Sequence, residues 1–150
     1  MAALDLTGAG ADPELLPFAL NRMMAAWNAR LAARLEERGV SFAQWRVLMV
    51  AARAEGALTI VELAERTLVP HSTLSRQVAA MERLGLVRRE ASEADARAVR
   101  VVLTPHGRAR YREVLPLALE ETEAGLAPLS RAERAELSRL LARLAPEVPP

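Results

Sequence analysis

Near residue 85 the hydrophobic period changes from helical to alternating, and this limits the fold more than any other feature of the sequence. Leu74, Val78 and Met81 fall within about 60° on a helical wheel, which predicts a helix over 71–84 with that face buried. Gly85 ends it. Leu86 to Glu90 then reads as a short strand. Val99, Val101 and Leu103 alternate with Arg100 and Val102, the period of a second strand. The polar residues 91–98 between them form a hairpin loop. Upstream, a short helix over 60–67 is separated from the 71–84 helix by the turn Leu68-Val69-Pro70. The middle of the chain is therefore short helix, tight turn, helix, hairpin.

Helices flank this unit. Asp12 as N-cap with Pro13 at the first helical position starts a helix ending near Arg38, before Gly39. Its face is Leu16, Leu20, Met23, Trp27, Leu31 and Leu35, and Pro17 lies near its first turn. Ser41 with Gln44, Thr59 with Glu62 and Ser130 with Glu133 have the spacing of capping boxes, in which cap hydroxyl and N3 side chain satisfy each other's amides. They predict helix starts at 42, 60 and 131. The helix over 42–55 turns Trp45, Leu48 and Met49 inward. Thr104-Pro105 starts a helix reaching about Leu126, with a kink expected at Pro116. The last helix, 131–145, carries Leu137, Leu140, Leu141 and Leu144 on one face. Residues 1–11 are small and aperiodic and read as a flexible tail. Hydrophobic residues make up 51% of the 150 and aromatics only 3%, so the core must be built from Leu, Val and Ala.

Two helices joined by a tight turn, the second with an exposed polar face, form a helix-turn-helix, and the hairpin makes it winged. The outward face of the second helix carries Ser72, Arg76, Ala79 and Arg83, flanked by Thr73, Ser75 and Gln77, with no acid before Glu82. Small side chains let a backbone approach a groove, and an arginine can grip guanine through two parallel bonds. An ordinary solvated helix face has the same composition. The charge distribution is less neutral than the net +1 implies. From Arg66 to Arg112 ten arginines face four acids, a local +6, and the remaining residues carry −5. In the hairpin, Arg88, Arg89 and Arg100 are placed to meet phosphates. Asp95-Ala96-Arg97 sets an arginine at the loop tip, suited to a narrow minor groove, with Asp95 able to orient it. A salt bridge in a surface turn is the plainer reading of that pair.

From about Leu31 to Arg110 the chain resembles the MarR family of multiple-antibiotic-resistance-type regulators. The markers are Ser41-Phe42-Ala43-Gln44-Trp45-Arg46-Val47-Leu48, Glu62-Leu63-Ala64, Ser72-Thr73-Leu74-Ser75-Arg76, Met81-Glu82-Arg83-Leu84-Gly85-Leu86-Val87, Asp95-Ala96-Arg97-Ala98 and Leu103-Thr104-Pro105-His106-Gly107. The resemblance implies a homodimer on a pseudo-palindromic double-stranded DNA operator. Residues 12–40 and 104–146 would form the helical dimerisation region and 41–103 the winged helix-turn-helix lobe. It implies Ser75 and Arg76 in the major groove, Arg97 at the wing tip and Asp95 as its partner. Ala96 departs from a family pattern that often has a second basic residue there, and Glu90 and Glu93 add negative charge to the wing. Small aromatic or phenolic effectors often bind such proteins between dimer helices and DNA-binding lobe. By resemblance Trp27, Trp45 and Arg46 would border that pocket, Arg46 pairing an effector carboxylate. Core packing of both tryptophans is the alternative.

Other classes lack support. There is no cysteine, and His71 and His106 are far apart, so no zinc site is expected. No phosphate-binding glycine loop or nucleophile elbow appears, and Glu120, Glu121 and Glu123 read as solvated helix acids, so no enzyme is expected. No cofactor is implied. With neither signal peptide nor membrane span in evidence, a cytoplasmic protein is expected. The reading is a DNA-binding regulator, with a repressor released by an effector as its fuller form. The alternative is a helical dimeric interaction module without specific DNA binding.

Overall fold

The computed structural model of the chain describes residues 15–91 and 99–144. The proposed tail, Asp12, Pro13, and the wing residues Glu93, Asp95, Ala96 and Arg97 lie outside the described residues. The elements are α1 (Leu15–Glu36), α2 (Phe42–Arg53), β1 (Leu58–Thr59), α3 (Ile60–Thr67), α4 (His71–Arg83), β2 (Val87–Ala91), β3 (Val99–Leu103), α5 (Pro105–Leu126) and α6 (Arg131–Leu144). The fold is mostly helical with a winged helix-turn-helix at its centre.

Caps set the boundaries. Ser41 and Gln44 close a reciprocal capping box on α2, as Thr59 and Glu62 do on α3. Ser130 and Glu133 do the same for α6. Thr104 caps α5 by accepting from the Gly107 N–H at 2.9 Å. The hydrogen bonds to the Glu62 carboxyl from Thr59, and those to Glu133 from Ser130, hold both below the usual carboxylate range. A lowered folded value stabilises above the unfolded pKa. Both contributions are therefore present at neutral pH and are lost as pH falls through the lowered folded values.

Two helix ends share one device. Gly39 at φ +67 and Gly85 at φ +69 take the left-handed conformation that ends α1 and α4. The Val40 N–H reaches back to the Leu35 carbonyl at 3.0 Å, and the Leu86 N–H to that of Met81 at 3.0 Å. Each bond joins two buried apolar residues. The end of α3 uses the same left-handed position without glycine, at Leu68, φ 53, with a side chain 84% exposed. A left-handed L-residue costs roughly 1–2 kcal/mol. Leu68→Gly should therefore raise stability by about 0.5 kcal/mol, relief of that strain being partly offset by the freer unfolded chain. Leu68→Val should lower it by about 1 kcal/mol, because a β-branched residue fits this region worse. Urea melts of both variants check the opposite signs.

The core joins α1, α2, α3, α4, α5 and the sheet. Leu35, Val47, Leu48, Leu63, Leu74, Val78, Met81 and Val114 are fully buried at its centre. Trp45 is buried and stacks on Tyr111, ring centroids 5.7 Å apart. The sheet order is β1-β3-β2, antiparallel throughout. The hairpin pairs Val87 with Leu103 and Ala91 with Val99, so its first strand lies one residue later than expected. β1 was not anticipated. Leu58 pairs with Val101 and Thr59 with Arg100, which fixes the start of α3 to the wing.

The outer helices differ from the sequence expectation in one respect. Of the α1 face, Leu31 and Leu35 are buried, whereas Leu16, Leu20 and Met23 remain at least 42% exposed. α6 buries no residue, and Leu140, Leu141 and Leu144 are exposed. α5 is helical through Pro116, which is exposed and forgoes one ladder bond. Glu121 is a correction, for it is not solvated. It is buried against α1 and accepts from Arg30 at 3.3 Å and Arg34 at 3.1 Å. No helix among the described residues is long and apolar enough to cross a membrane.

Candidate nucleic-acid interface

α4 owes its position to a fully buried face. Leu74, Val78 and Met81 have no exposed surface, as their spacing requires. Its other side carries Ser72, Thr73, Ser75, Arg76 and Arg83, all exposed. Ala79 is half-buried among them. Gln77 is not outside with the rest. It is half-buried, and its amide nitrogen is enclosed without a hydrogen-bond partner. The Arg76 side chain lies back along the helix toward the Ser72 carbonyl at 3.4 Å.

The start of α4 differs from those of α2, α3, α5 and α6. Its N-cap is Pro70, which offers no side-chain hydrogen bond. The Pro70 carbonyl takes the Thr73 and Leu74 N–H groups at 3.0 and 2.9 Å. The His71 and Ser72 N–H groups precede these and have no hydrogen-bond partner among the described residues, beside exposed His71, Ser72 and Thr73 side chains. Positive helix-end potential and open amides suit an anion there.

The wing is tied to α4 at two points. Thr104 donates its hydroxyl to the Gly85 carbonyl at 2.5 Å, and its N–H bonds the Leu86 carbonyl at 3.2 Å. The Glu82 carboxylate accepts from the Arg89 backbone N–H at 2.9 Å and from its Nε at 2.7 Å. These bonds hold Glu82 below the usual carboxylate range, the side chain of Arg89 contributing most and its backbone next. Glu82→Ala should speed hydrogen exchange of the Arg89 amide several-fold without altering the α4 amides. In the wild type that loosening should appear as pH falls through the depressed value of Glu82, since the bond is present above it.

The sequence-selected arginines do not all stand ready for an external partner. Arg88 pairs with Glu90 and Arg89 with Glu82. Arg100 is turned inward, both Nε and Nη2 donating to the Ala57 carbonyl, at 3.2 and 2.5 Å. Arg76 and Arg83 have no ion-pair partner among the described residues. The exposed, unpaired basic charge therefore lies on α4 more than on the strands.

Trp27, Trp45 and Arg46 converge. All three line a concavity of about 630 Å³ with Met24, Phe42 and Leu68. Gly125 on α5 makes room for Trp27, whose ring would lie 2.8 Å from a Cβ there. Leu68 brings the turn before α4 to the edge of the same space. Arg46 is half-buried with no ion-pair partner among the described residues, and desolvation lowers its pKa. It stays a cation, so the cost of its burial favours an anionic neighbour. No cluster of metal-ligating side chains occurs among the described residues.

The MarR family model matches residues 38–98, from just after α1 to the residue before β3. A MarR-family transcriptional regulator from Silicibacter pomeroyi is similar at 35% identity, covering 87% of this chain and 88% of that one, TM-score 0.75. AbsC, a MarR family transcriptional regulator from Streptomyces coelicolor, matches at 27% identity over 91% and 95%, TM-score 0.78. Bordetella bronchiseptica BpsR matches at 28% identity over 87% and 98%, TM-score 0.76; 6-hydroxynicotinic acid regulates its DNA binding. No curated protein sequence matches the chain. The markers on α2, α3 and α4, the winged fold around them and an identity of about one residue in three over nearly the whole length agree, and the chain belongs to the MarR family of transcriptional regulators.

Proposed function

We propose that the chain acts as a homodimer on pseudo-palindromic double-stranded DNA, in the cytoplasm, as a repressor released by a small aromatic acid. The exposed face of α4, with its open N-terminus, carries this reading. Ser75 and Arg76 would meet base edges, while Ser72, Thr73 and Arg83 would meet the backbone. Arg88, Arg89 and Arg97 would extend the contact along the wing, Asp95 orienting Arg97. Arg100 is assigned to holding the wing base. Gln77 is assigned to setting the α4 surface from behind.

The dimer reading rests on the apolar residues that one chain leaves exposed on its outer helices: Leu16, Phe18, Leu20 and Met23 of α1, Leu119 of α5, and Leu140, Leu141 and Leu144 of α6. Apolar patches of this kind mark interaction surfaces. Residues 12–40 and 104–146 would interleave with their counterparts, leaving 41–103 as the DNA-binding lobe. The effector reading rests on the concavity at Trp27, Trp45 and Arg46. Its size suits a small ligand, and it is lined by three aromatic residues, Trp27, Phe42 and Trp45, and one partly desolvated cation, Arg46.

Fluorescence anisotropy with the DNA upstream of the gene and a scrambled duplex, across salt, tests the first part. Arg76→Ala should weaken upstream binding about ten-fold and scrambled binding less. Arg97→Ala should cost about 1–3 kcal/mol, one good groove contact. Equal affinity of both variants with the wild type would remove this surface from the interface. No binding to either duplex at low salt would favour the interaction module. For the effector, 6-hydroxynicotinate and salicylate should quench tryptophan fluorescence and release DNA, and Arg46→Ala should abolish both responses.

A further inference from the structure

Where the end of α2, its loop to β1, α3 and β3 meet, a second concavity of about 500 Å³ is lined by Arg53, Arg66 and Arg100, with Glu55 as the one acid. Only Arg100 belongs to the interface described above, and there it serves to hold the wing. Arg66 is exposed in the last turn of α3 and has no hydrogen-bond or ion-pair partner among the described residues. Helical side chains lean toward the N-terminus, which carries Arg66 back toward β1. Its neighbour Glu62 feels the charges of Arg66 and Arg100 but forms an ion pair with neither among the described residues. The Glu62 carboxylate is engaged by the Thr59 N–H at 2.7 Å and the Thr59 hydroxyl at 2.9 Å.

Arg53 lies over the Tyr111 ring, 6.0 Å from its centre, and makes one long hydrogen bond of 3.5 Å to the Met49 carbonyl. Arg100 binds the Ala57 carbonyl through Nε and Nη2 and so fixes the loop between α2 and β1. Of the five N–H groups a guanidinium carries, the two on Nη1 of Arg100 make no hydrogen bond among the described residues. A Cβ at Gly56 would meet nothing within 4 Å, so the backbone there is open to approach. Three guanidiniums, one of them pinned in place, outnumber the two carboxylates beside them, Glu55 in the lining and Glu62 within reach of the Arg66 and Arg100 charges, and so form a seat for a compact phosphate-type anion.

We propose that this concavity binds a phosphoryl group, supplied either by a backbone phosphate of bound DNA beyond the reach of α4 or by a free phosphorylated small molecule. The DNA source rests on the function proposed above; the small-molecule source does not.

Arg66→Ala and Arg53→Ala test it, because both side chains are exposed and neither forms an ion pair among the described residues; Arg143→Ala on α6 is the control. Pyrophosphate is titrated calorimetrically into each protein at fixed ionic strength, and the salt dependence of binding is measured on upstream and scrambled duplex. A free-phosphate site gives saturable pyrophosphate binding that Arg66→Ala weakens about ten-fold, the loss of one charge-assisted bond. A DNA-phosphate site gives no pyrophosphate binding but a slope of log K against log salt smaller by about 0.9 in each variant, alike on both duplexes and unchanged in the control. No pyrophosphate binding together with unaltered slopes overturns the proposal. Pyrophosphate binding by a wild type that binds no DNA would sink the DNA-regulator reading and sustain this one.

Discussion

Gly107→Ala should cost the fold about 3 kcal/mol or more, the upper range for forcing an atom into a packed site. A Cβ at Gly107 would lie 1.9 Å from the Leu86 carbonyl oxygen and 2.8 Å from its carbon. Both are backbone atoms, so no rotamer change relieves the overlap. That carbonyl also accepts the Thr104 N–H at 3.2 Å, and Gly107 itself donates to the Thr104 hydroxyl. Backing α5 away from Leu86 would therefore break the cap of α5 and the base of the hairpin together. Chemical denaturation should show the loss. Hydrogen exchange should show it concentrated at Leu86, Thr104 and the first turn of α5. An Ala109 variant such as Ala109→Ser, two residues on at an exposed position, should be near neutral.

The double variant Arg30→Ala/Arg34→Ala should cost about 3 kcal/mol, the low end for stranding a buried charge, because both arginines are partly exposed. Glu121 keeps only 12% of its side chain exposed, and these two guanidiniums are its partners. Removing them leaves a carboxylate between α1 and α5 without hydrogen bonds. Adding Glu121→Leu to the same background should recover most of the loss, since the stranded charge rather than lost packing carries it. A triple variant as unstable as the double would show instead that the arginine stems hold α1 and α5 together by contact. Equilibrium urea unfolding of the three proteins separates these outcomes.

Much of this structure was readable because its determinants are local. The buried face of α4 follows from the spacing of Leu74, Val78 and Met81 alone. The three capping boxes and the glycine ends at Gly39 and Gly85 each lie within a few residues. What escaped depends on distant partners. β1 is two residues long and shows no period, and it exists only through pairing with Val101 and Arg100. Glu121 sits in a run of helix acids that looks solvated, and its partners are 87 and 91 residues away. Arg100 has the composition of a phosphate contact, but a carbonyl 43 residues earlier takes its guanidinium. No glycine marks the left-handed Leu68, so the geometry of the turn was hidden although its position was clear. The grouping of Trp27, Trp45 and Arg46 came from family resemblance, since no spacing rule joins residues on different helices.

α5 joins the ends of this molecule as a lever. Its first turn is fastened through Thr104 to Gly85 and Leu86, between α4 and the wing, and its last turns to α1 through Glu121. Twenty-two helical residues span about 33 Å. The stretch from Glu121 to Pro105 is about 24 Å, so tilting it by about 10° about Glu121 carries the first turn of α5 some 4 Å, most of the rise of one helical turn. Two recognition helices must sit about 34 Å apart to enter successive major grooves. In the homodimer proposed above, a rotation of this size about one end of α5 would put the pair out of step with DNA without unfolding the lobe.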